Sequence, residues 1–197
     1  MSESPPLVLA SSSPRRLALL RQAGIEPFRV EAPAVDEAPR PREQPKAYAE
    51  RLAAAKAASV AARTDAQGAF VLAADTVVAC GRRILPKASE PREAERCLDL
   101  LSGRRHRVLT GIAVIAPGGR RASRVVTTVV QLKRLSADEI ASYLASGEWQ
   151  GKAGGYAIQG RAEAFVRAIN GSYSNVVGLP LAASFDLLRG LGWRPAA

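Results

Sequence analysis

Hydrophobic positions along the chain fall into short continuous runs and helix-spaced sets, and the two kinds alternate. Leu7 to Ala10 is a short apolar strand, followed by three serines and Pro14. Ser13 suits an N-cap and Pro14 the first helical position, and Gly24 can close a helix carrying Leu17, Leu19 and Leu20. Residues 31–45 hold four prolines and read as a loop, after which the Ala-rich residues 46–63 contain no helix breaker. Phe70 to Cys80 is apolar except for Asp75 and Thr76, which predicts a buried strand with Gly81 starting a turn. Glu90-Pro91 opens a helix through Leu101 that Ser102-Gly103 ends. Val108 to Ala116 and Arg124 to Leu132 predict a long hairpin around Pro117-Gly118-Gly119. Ser136 caps a helix through Ala145, with Asp138 and Glu139 in its first turn. Residues 147–160 carry five glycines, and Pro180 begins a last helix ending near Gly190.

Strands and helices alternate without a solenoid-type repeat, and no linker is long enough to part independent domains. The pattern therefore predicts a mixed α/β protein in which residues 1–197 form one domain. A chain of 197 residues buries roughly 70% of its unfolded surface, so a sizeable core is expected. No run approaches the ~20 apolar residues of a membrane span. The first sixteen residues show no basic region ahead of their apolar patch, so no secretory signal is expected. Cys80 and Cys97 match no metal spacing and are too few for a disulfide framework. These features predict a reduced, cytoplasmic protein.

The net charge of +10 changes this picture only slightly. The 23 arginines are scattered along the chain, as on a solvated surface, and no basic stripe or RNP-type motif points to duplex nucleic acid. A phosphate-bearing ligand fits the positive field better. The five lysines are the rarer cation, and a retained Lys suits a point-charge role toward phosphate.

Candidate chemistry is concentrated at a few positions. The serine loop leading into Pro14-Arg15-Arg16 offers free N–H groups, a positive helix end and two guanidinium groups, which together make an anion site. An ordinary capped surface helix would carry the same residues. Asp75 lies inside an apolar stretch, where an unpaired carboxylate costs several kcal/mol as an order of magnitude. It is therefore either hydrogen-bonded structurally or held for metal or general-base work. Lys56 shares a helix face with Tyr48, Leu52 and Ala55, where it either snorkels or points inward. Lys87 lies in a loop just beyond the hairpin that follows Asp75, and Lys152 in the glycine-rich segment. Asp36-Glu37, in the proline loop, would supply hard oxygen ligands for Mg²⁺ if brought near Asp75. His106 is the lone histidine, which leaves zinc hydrolase motifs and a Ser-His-Asp triad little to work with. Neither the Rossmann nor the P-loop fingerprint occurs. In GGYAIQG the glycines permit close backbone approach, and Gln159 offers a donor and an acceptor to a base edge.

Taken together, the chain resembles the Maf family of nucleoside triphosphate pyrophosphatases. The resemblance is carried by LASSSPRR (9–16), Asp36-Glu37, RLAAAKA (51–57), AADTVV (73–78), the Lys87 loop, LSGRRHRVLTG (101–111), GEWQGKAGGYAIQG (147–160) and INGSYSNVVGLPL (169–181). It implies a Maf/ITPase-like α/β fold: a mixed elongated sheet flanked by helices, with two lobes around a central cleft, assembled as a homodimer. It also implies cleavage of a nucleoside triphosphate to monophosphate and pyrophosphate with a divalent metal, Mg²⁺ or Mn²⁺. By the same resemblance Asp75 is the proton acceptor, and Ser11, Ser13, Arg15 and Arg16 cradle phosphate. Glu37, Lys56 and Lys87 line the cleft, with Glu37 and Asp75 as metal ligands, and the choice between Asp36 and Glu37 for the metal is open at this point. The GYAIQG form resembles the subgroup acting on dTTP and UTP, with Arg15, Thr76 and Gln159 at the positions tied to that choice. No stable nucleic-acid complex and no membrane partner are expected. The competing expectation is a non-catalytic nucleotide- or nucleic-acid-binding regulator of cell division, against which the acidic residues argue.

Overall fold

The structure, a computed structural model, describes residues 5–63 and 68–195. Thirteen strands and helices build it: β1 (Leu7–Ala10), α1 (Pro14–Gln22), β2 (Arg29–Glu31), α2 (Pro45–Ala61), β3 (Phe70–Cys80), β4 (Arg83–Leu85), α3 (Pro91–Leu101), β5 (Arg105–Ile115), β6 (Arg121–Leu132), α4 (Ala137–Ala145), β7 (Val166–Asn170), α5 (Tyr173–Val177) and α6 (Leu181–Gly190). A 3₁₀ turn, Arg161–Phe165, precedes β7. Among the described residues no helix is long and apolar enough to cross a membrane.

One mixed sheet runs in the order β2-β1-β3-β5-β6-β7, with β4 attached to β3. β1 pairs in parallel with β2 and β3, and all other pairings are antiparallel. β3 is the organising strand. Its β5 side is paired from Val71 to Ala79. Its other side pairs with β1 only through Ala73 and with β4 only from Val78. Ala74 to Val77 are therefore left without a neighbour on that edge, and this gap holds Asp75 and Thr76.

Side chains alternate across a strand, so β3 feeds two cores. Leu72, Ala74 and Val78 join the large core with α1, α3, α4 and α6, while Val71 and Ala73 face α2. The α2 face is packed with small residues, Ala53 and Ala57 among them, so the helix lies close on the sheet. Gly111 shows how close. A Cβ there would sit 2.2 Å from the carbonyl oxygen of Ala49.

The long strands and helices lie where the apolar pattern predicts them. β5 and β6 begin three residues earlier than expected, because the ladder continues through Arg105–Arg107 and Arg121–Ser123 beyond the apolar runs. β2 and β4 have only three residues each, too few for a hydrophobic period to register. β7 and α5 were not expected either, since β7 is mostly exposed and α5 has a single full turn. Gly24 closes α1 as expected, at φ +76 with the Ile25 N–H bonded back to Leu20. Ser13 occupies the N-cap position, but its hydroxyl makes no cap hydrogen bond.

Candidate active site

The gap in β3 opens onto a cavity of about 390 Å³. One end is polar and cationic, formed by Ser11 to Arg16, Lys56, Lys87 and Lys152. The other is apolar, formed by Val78, Val108, Tyr156, Ile158 and Val177, with Gln159 at its side. An elongated ligand with one anionic and one flat apolar part fits such a division.

At the centre stands a cluster of four charges. Lys56 Nζ lies 2.6 Å from Asp75 Oδ1 and 2.6 Å from Glu37 Oε1. Lys87 Nζ lies 2.5 Å from Glu37 Oε2 and 3.8 Å from Asp75 Oδ1. Asp75 is 1% exposed and Lys56 4%, so the two are a buried pair rather than surface charges. Lys56 points inward: it belongs to the buried face of α2 with Ala49, Leu52, Ala53, Ala57 and Val60. Among the described residues no donor reaches the second oxygen of Asp75. Partial burial opposes ionisation of Glu37, but hydrogen bonds from Lys56 and Lys87 outweigh it and bring its pKa down to about 2.

The proline loop delivers Glu37 because α2 anchors it. Tyr48 Oη donates to the Glu37 carbonyl at 2.6 Å, and Arg51 Nη2 to that of Ala38 at 3.1 Å. Asp36, the other acid of the pair, is exposed, and its Oδ1 accepts from the Ala38 N–H. Glu37 is therefore the acid that meets Asp75's partner.

The serine loop is held from within. Ser11 Oγ accepts from the Ser13 N–H at 3.1 Å and from Arg16 Nη1 at 3.0 Å. Arg16 also donates from Nε to the Gly178 carbonyl at 2.8 Å and from Nη2 to Thr76 Oγ1 at 3.2 Å. All three of its guanidinium nitrogens are thus engaged, and burial pushes its pKa down. Arg15 is different. It lines the cavity, and among the described residues it makes no ion pair or hydrogen bond. Burial lowers its pKa too, yet a guanidinium starting from 12.5 stays charged.

Thr76 Oγ1 lies 3.0 Å from Thr110 Oγ1, and Thr110 in turn donates to the Asn175 carbonyl at 3.0 Å. A hydroxyl chain therefore ties the serine loop through β3 and β5 to α5, whose Val176 and Val177 wall the cavity. Thr110 and Asn175 lie in the quoted LSGRRHRVLTG and INGSYSNVVGLPL stretches, yet nothing in the sequence singled them out. Thr110 reads as one polar residue in a strand, and α5 is too short to be foreseen.

At the apolar end, Tyr156 Oη and His106 Nε2 share a 2.7 Å hydrogen bond, and Tyr143 Oη accepts from the Ala157 N–H at 3.0 Å. These contacts fix the segment that presents Gln159. His106 is buried against Tyr156, and burial brings its pKa down to about 4. Lys152 lines the cavity and donates to the Gln150 carbonyl.

The sequence is matched over residues 6–191 by the family described as Maf-like protein. A dTTP/UTP pyrophosphatase of Paramagnetospirillum magneticum is 62% identical over 96% of this chain and 98% of its own. Those of Caulobacter vibrioides and Rhodospirillum rubrum are 58% and 59% identical, covering 99% and 98% of this chain and 100% and 90% of theirs. Among solved structures, the Staphylococcus aureus Ham1 protein overlaps 64% of this chain and 71% of its own, at 17% identity and a TM-score of 0.44.

Proposed function

The chain belongs to the Maf-like protein family, and from that premise we propose that it hydrolyses nucleoside triphosphates, dTTP and UTP foremost, to the monophosphate and pyrophosphate. The observation that carries the reading is the buried Asp75 carboxylate, held by Lys56 in the gap of β3 beside a cavity with one cationic and one apolar end. A protein that only bound phosphate would gain nothing from burying Asp75 and Glu37 there. The reading of a non-catalytic regulator is not favoured.

The triphosphate lies along the cationic end, where Ser13, Arg15 and the N-terminus of α1 bind phosphate oxygens. Ser11 and Arg16 line the same end and hold that loop in shape. Asp75 Oδ2 takes a proton from water as its oxygen bonds to the α phosphorus, and pyrophosphate leaves. Lys56 and Lys87 offset the charge that develops on the phosphates. Gln159 meets the base edge, and with Arg15 and Thr76 it holds the positions that the resemblance ties to the choice of nucleotide.

Glu37 and Asp75 are also a suitable donor set for Mg²⁺ or Mn²⁺. Among the described residues no group of three or more His, Cys, Asp or Glu side chains forms an all-protein cage. Two carboxylates completed by phosphate oxygens is a common way to hold Mg²⁺. The Lys56 ammonium, touching both carboxylates, marks a place where positive charge is favoured. A divalent ion held by Glu37 and Asp75 would replace the lysine contacts on those carboxylates and would offset the charge of the triphosphate.

The test is pyrophosphate release with Mg²⁺ or Mn²⁺ across dTTP, UTP, CTP, GTP and 7-methyl-GTP. Preferential turnover of dTTP and UTP is expected. Turnover of 7-methyl-GTP instead would keep the chemistry and overturn the base assignment. No release from any nucleotide would overturn the enzyme reading.

A further inference from the structure

We propose that the attacking water comes from a second cavity, which opens at the unpaired edge of β3 and reaches its α2 face, walled there by Tyr48, Val77 and Ile84. The inference rests on the pyrophosphatase reading and adds the side from which the reaction proceeds.

Alternation along β3 is the first ground. Thr76 and Val78 point to one face, and they line the 390 Å³ cavity with Val108, which pairs with Val78. Asp75 and Val77 point to the opposite face. Asp75 does not line that cavity. It lines a neighbouring one of about 360 Å³, with Tyr48, Val77 and Ile84 from its own face of the sheet and Thr76 and Leu85 from the other. Ile84 pairs with Ala79 and so stands on the same face as Asp75. The two cavities share Glu37, Thr76, Lys87 and Ala153, and the Glu37–Lys87 ion pair stands where they meet.

In-line displacement is the second ground. The attacking and leaving oxygens lie on opposite sides of the phosphorus. Arg15 and Lys152 keep pyrophosphate on the side of the first cavity. The opposite side is then the second cavity, where the base Asp75 faces. Asp75, Tyr48 and Thr76 offer a water hydrogen-bonding partners there, while Pro39, Pro86 and Ile84 give a pyrophosphate nothing to bind. There the water oxygen bonds to the α phosphorus, and its proton passes to Asp75. The bond to the β-phosphate oxygen breaks, and its electron pair leaves with pyrophosphate.

Two substitutions at Ile84, which is partly exposed and outside the nucleotide cavity, test the proposal. Ile84→Phe fills the chamber and is expected to lower kcat for dTTP roughly tenfold while KM and inhibition by pyrophosphate stay within about twofold. Ile84→Ala widens it. In water–methanol mixtures this variant is expected to release roughly threefold more of its product as the methyl ester of the monophosphate than the wild type, because more of the larger nucleophile reaches the phosphorus. Unchanged kcat in Ile84→Phe, or an effect on KM or pyrophosphate inhibition instead, would overturn the proposal. So would an unchanged ester fraction in Ile84→Ala, which decides the matter should Ile84→Phe fail to fold. Wild-type protein that released no pyrophosphate would instead overturn the underlying reading.

Discussion

Lys56 Nζ stands 2.6 Å from Asp75 Oδ1 and the same distance from Glu37 Oε1, so one buried ammonium joins the α2 helix, the central strand and the proline loop. Charges held out of water are stabilised by their partners, and Lys56 is the nearest partner of Asp75. Removing one partner leaves the other buried and uncompensated, at a cost of roughly 3–5 kcal/mol. Lys56→Met is therefore expected to lower the unfolding free energy from urea titration by about that much. The Lys56→Met/Asp75→Asn double variant is expected to recover part of the loss, because a neutral amide needs no counter-charge. Additive losses in this cycle would show that the pair is not coupled.

Asp75→Asn alone isolates the chemistry. The amide keeps the shape and a hydrogen-bonding oxygen but is not a base. Turnover of dTTP is expected to fall about 10²–10⁴-fold, the usual cost of losing a general base. Nucleotide binding, followed by equilibrium titration of a non-hydrolysable analogue, is expected to survive. Turnover near the wild-type rate would remove Asp75 from the reaction.

Gly111 tests how α2 reaches the site. A Cβ there would meet backbone, at 2.2 Å from Ala49 O and 2.6 Å from Ala49 C, so nothing flexible can yield. Gly111→Ala must push the helix off the sheet, and Lys56 with it. A loss of about 2 kcal/mol or more is expected, with a fall in activity beyond the stability effect. Gly190→Ala is the contrast. It ends α6 with nothing within 4 Å of the added carbon, so it is expected to be neutral or stabilising by up to about 1 kcal/mol. Thermal melts of the two variants decide the matter.

Much of this site was legible before the structure, because burial makes charge conspicuous. Asp75 stood out among apolar neighbours, and Lys56 on an inward helix face, for the same physical reason that they are now found paired. What could not be read was how residues far apart in sequence share their bonds. Arg15 and Arg16 look equivalent in the chain, yet Arg16 is tied to Ser11, Thr76 and the Gly178 carbonyl 162 positions away, while Arg15 faces the cavity. The choice between Asp36 and Glu37 was likewise set by Tyr48 gripping the loop. The break in pairing along β3 was invisible too, since β4 has three residues and β1 four.

His106 makes the last prediction, and it concerns pH and stability together. The ring is buried against Tyr156, and burial brings its pKa down from 6.5 to about 4. Between these values the unfolded chain binds a proton that the folded protein does not. Stability therefore rises with pH through this window and is lost as pH falls from about 6.5 toward about 4. The loss attributable to His106 is about 2 kcal/mol between roughly pH 7 and pH 5, and about 3 kcal/mol by roughly pH 4. Carboxylates held low by partners, such as Glu37 at about 2, contribute in the same sense but mainly below the ordinary carboxylate range. The interval from about pH 5 to 6.5 accordingly reports on the histidine. His106→Gln keeps a hydrogen-bonding group for Tyr156 and has nothing to titrate there. Its urea midpoint is expected to be nearly flat over that interval, while the wild type declines. Parallel slopes for the two proteins would show that the imidazole is solvated or charged in the folded state, contrary to its burial.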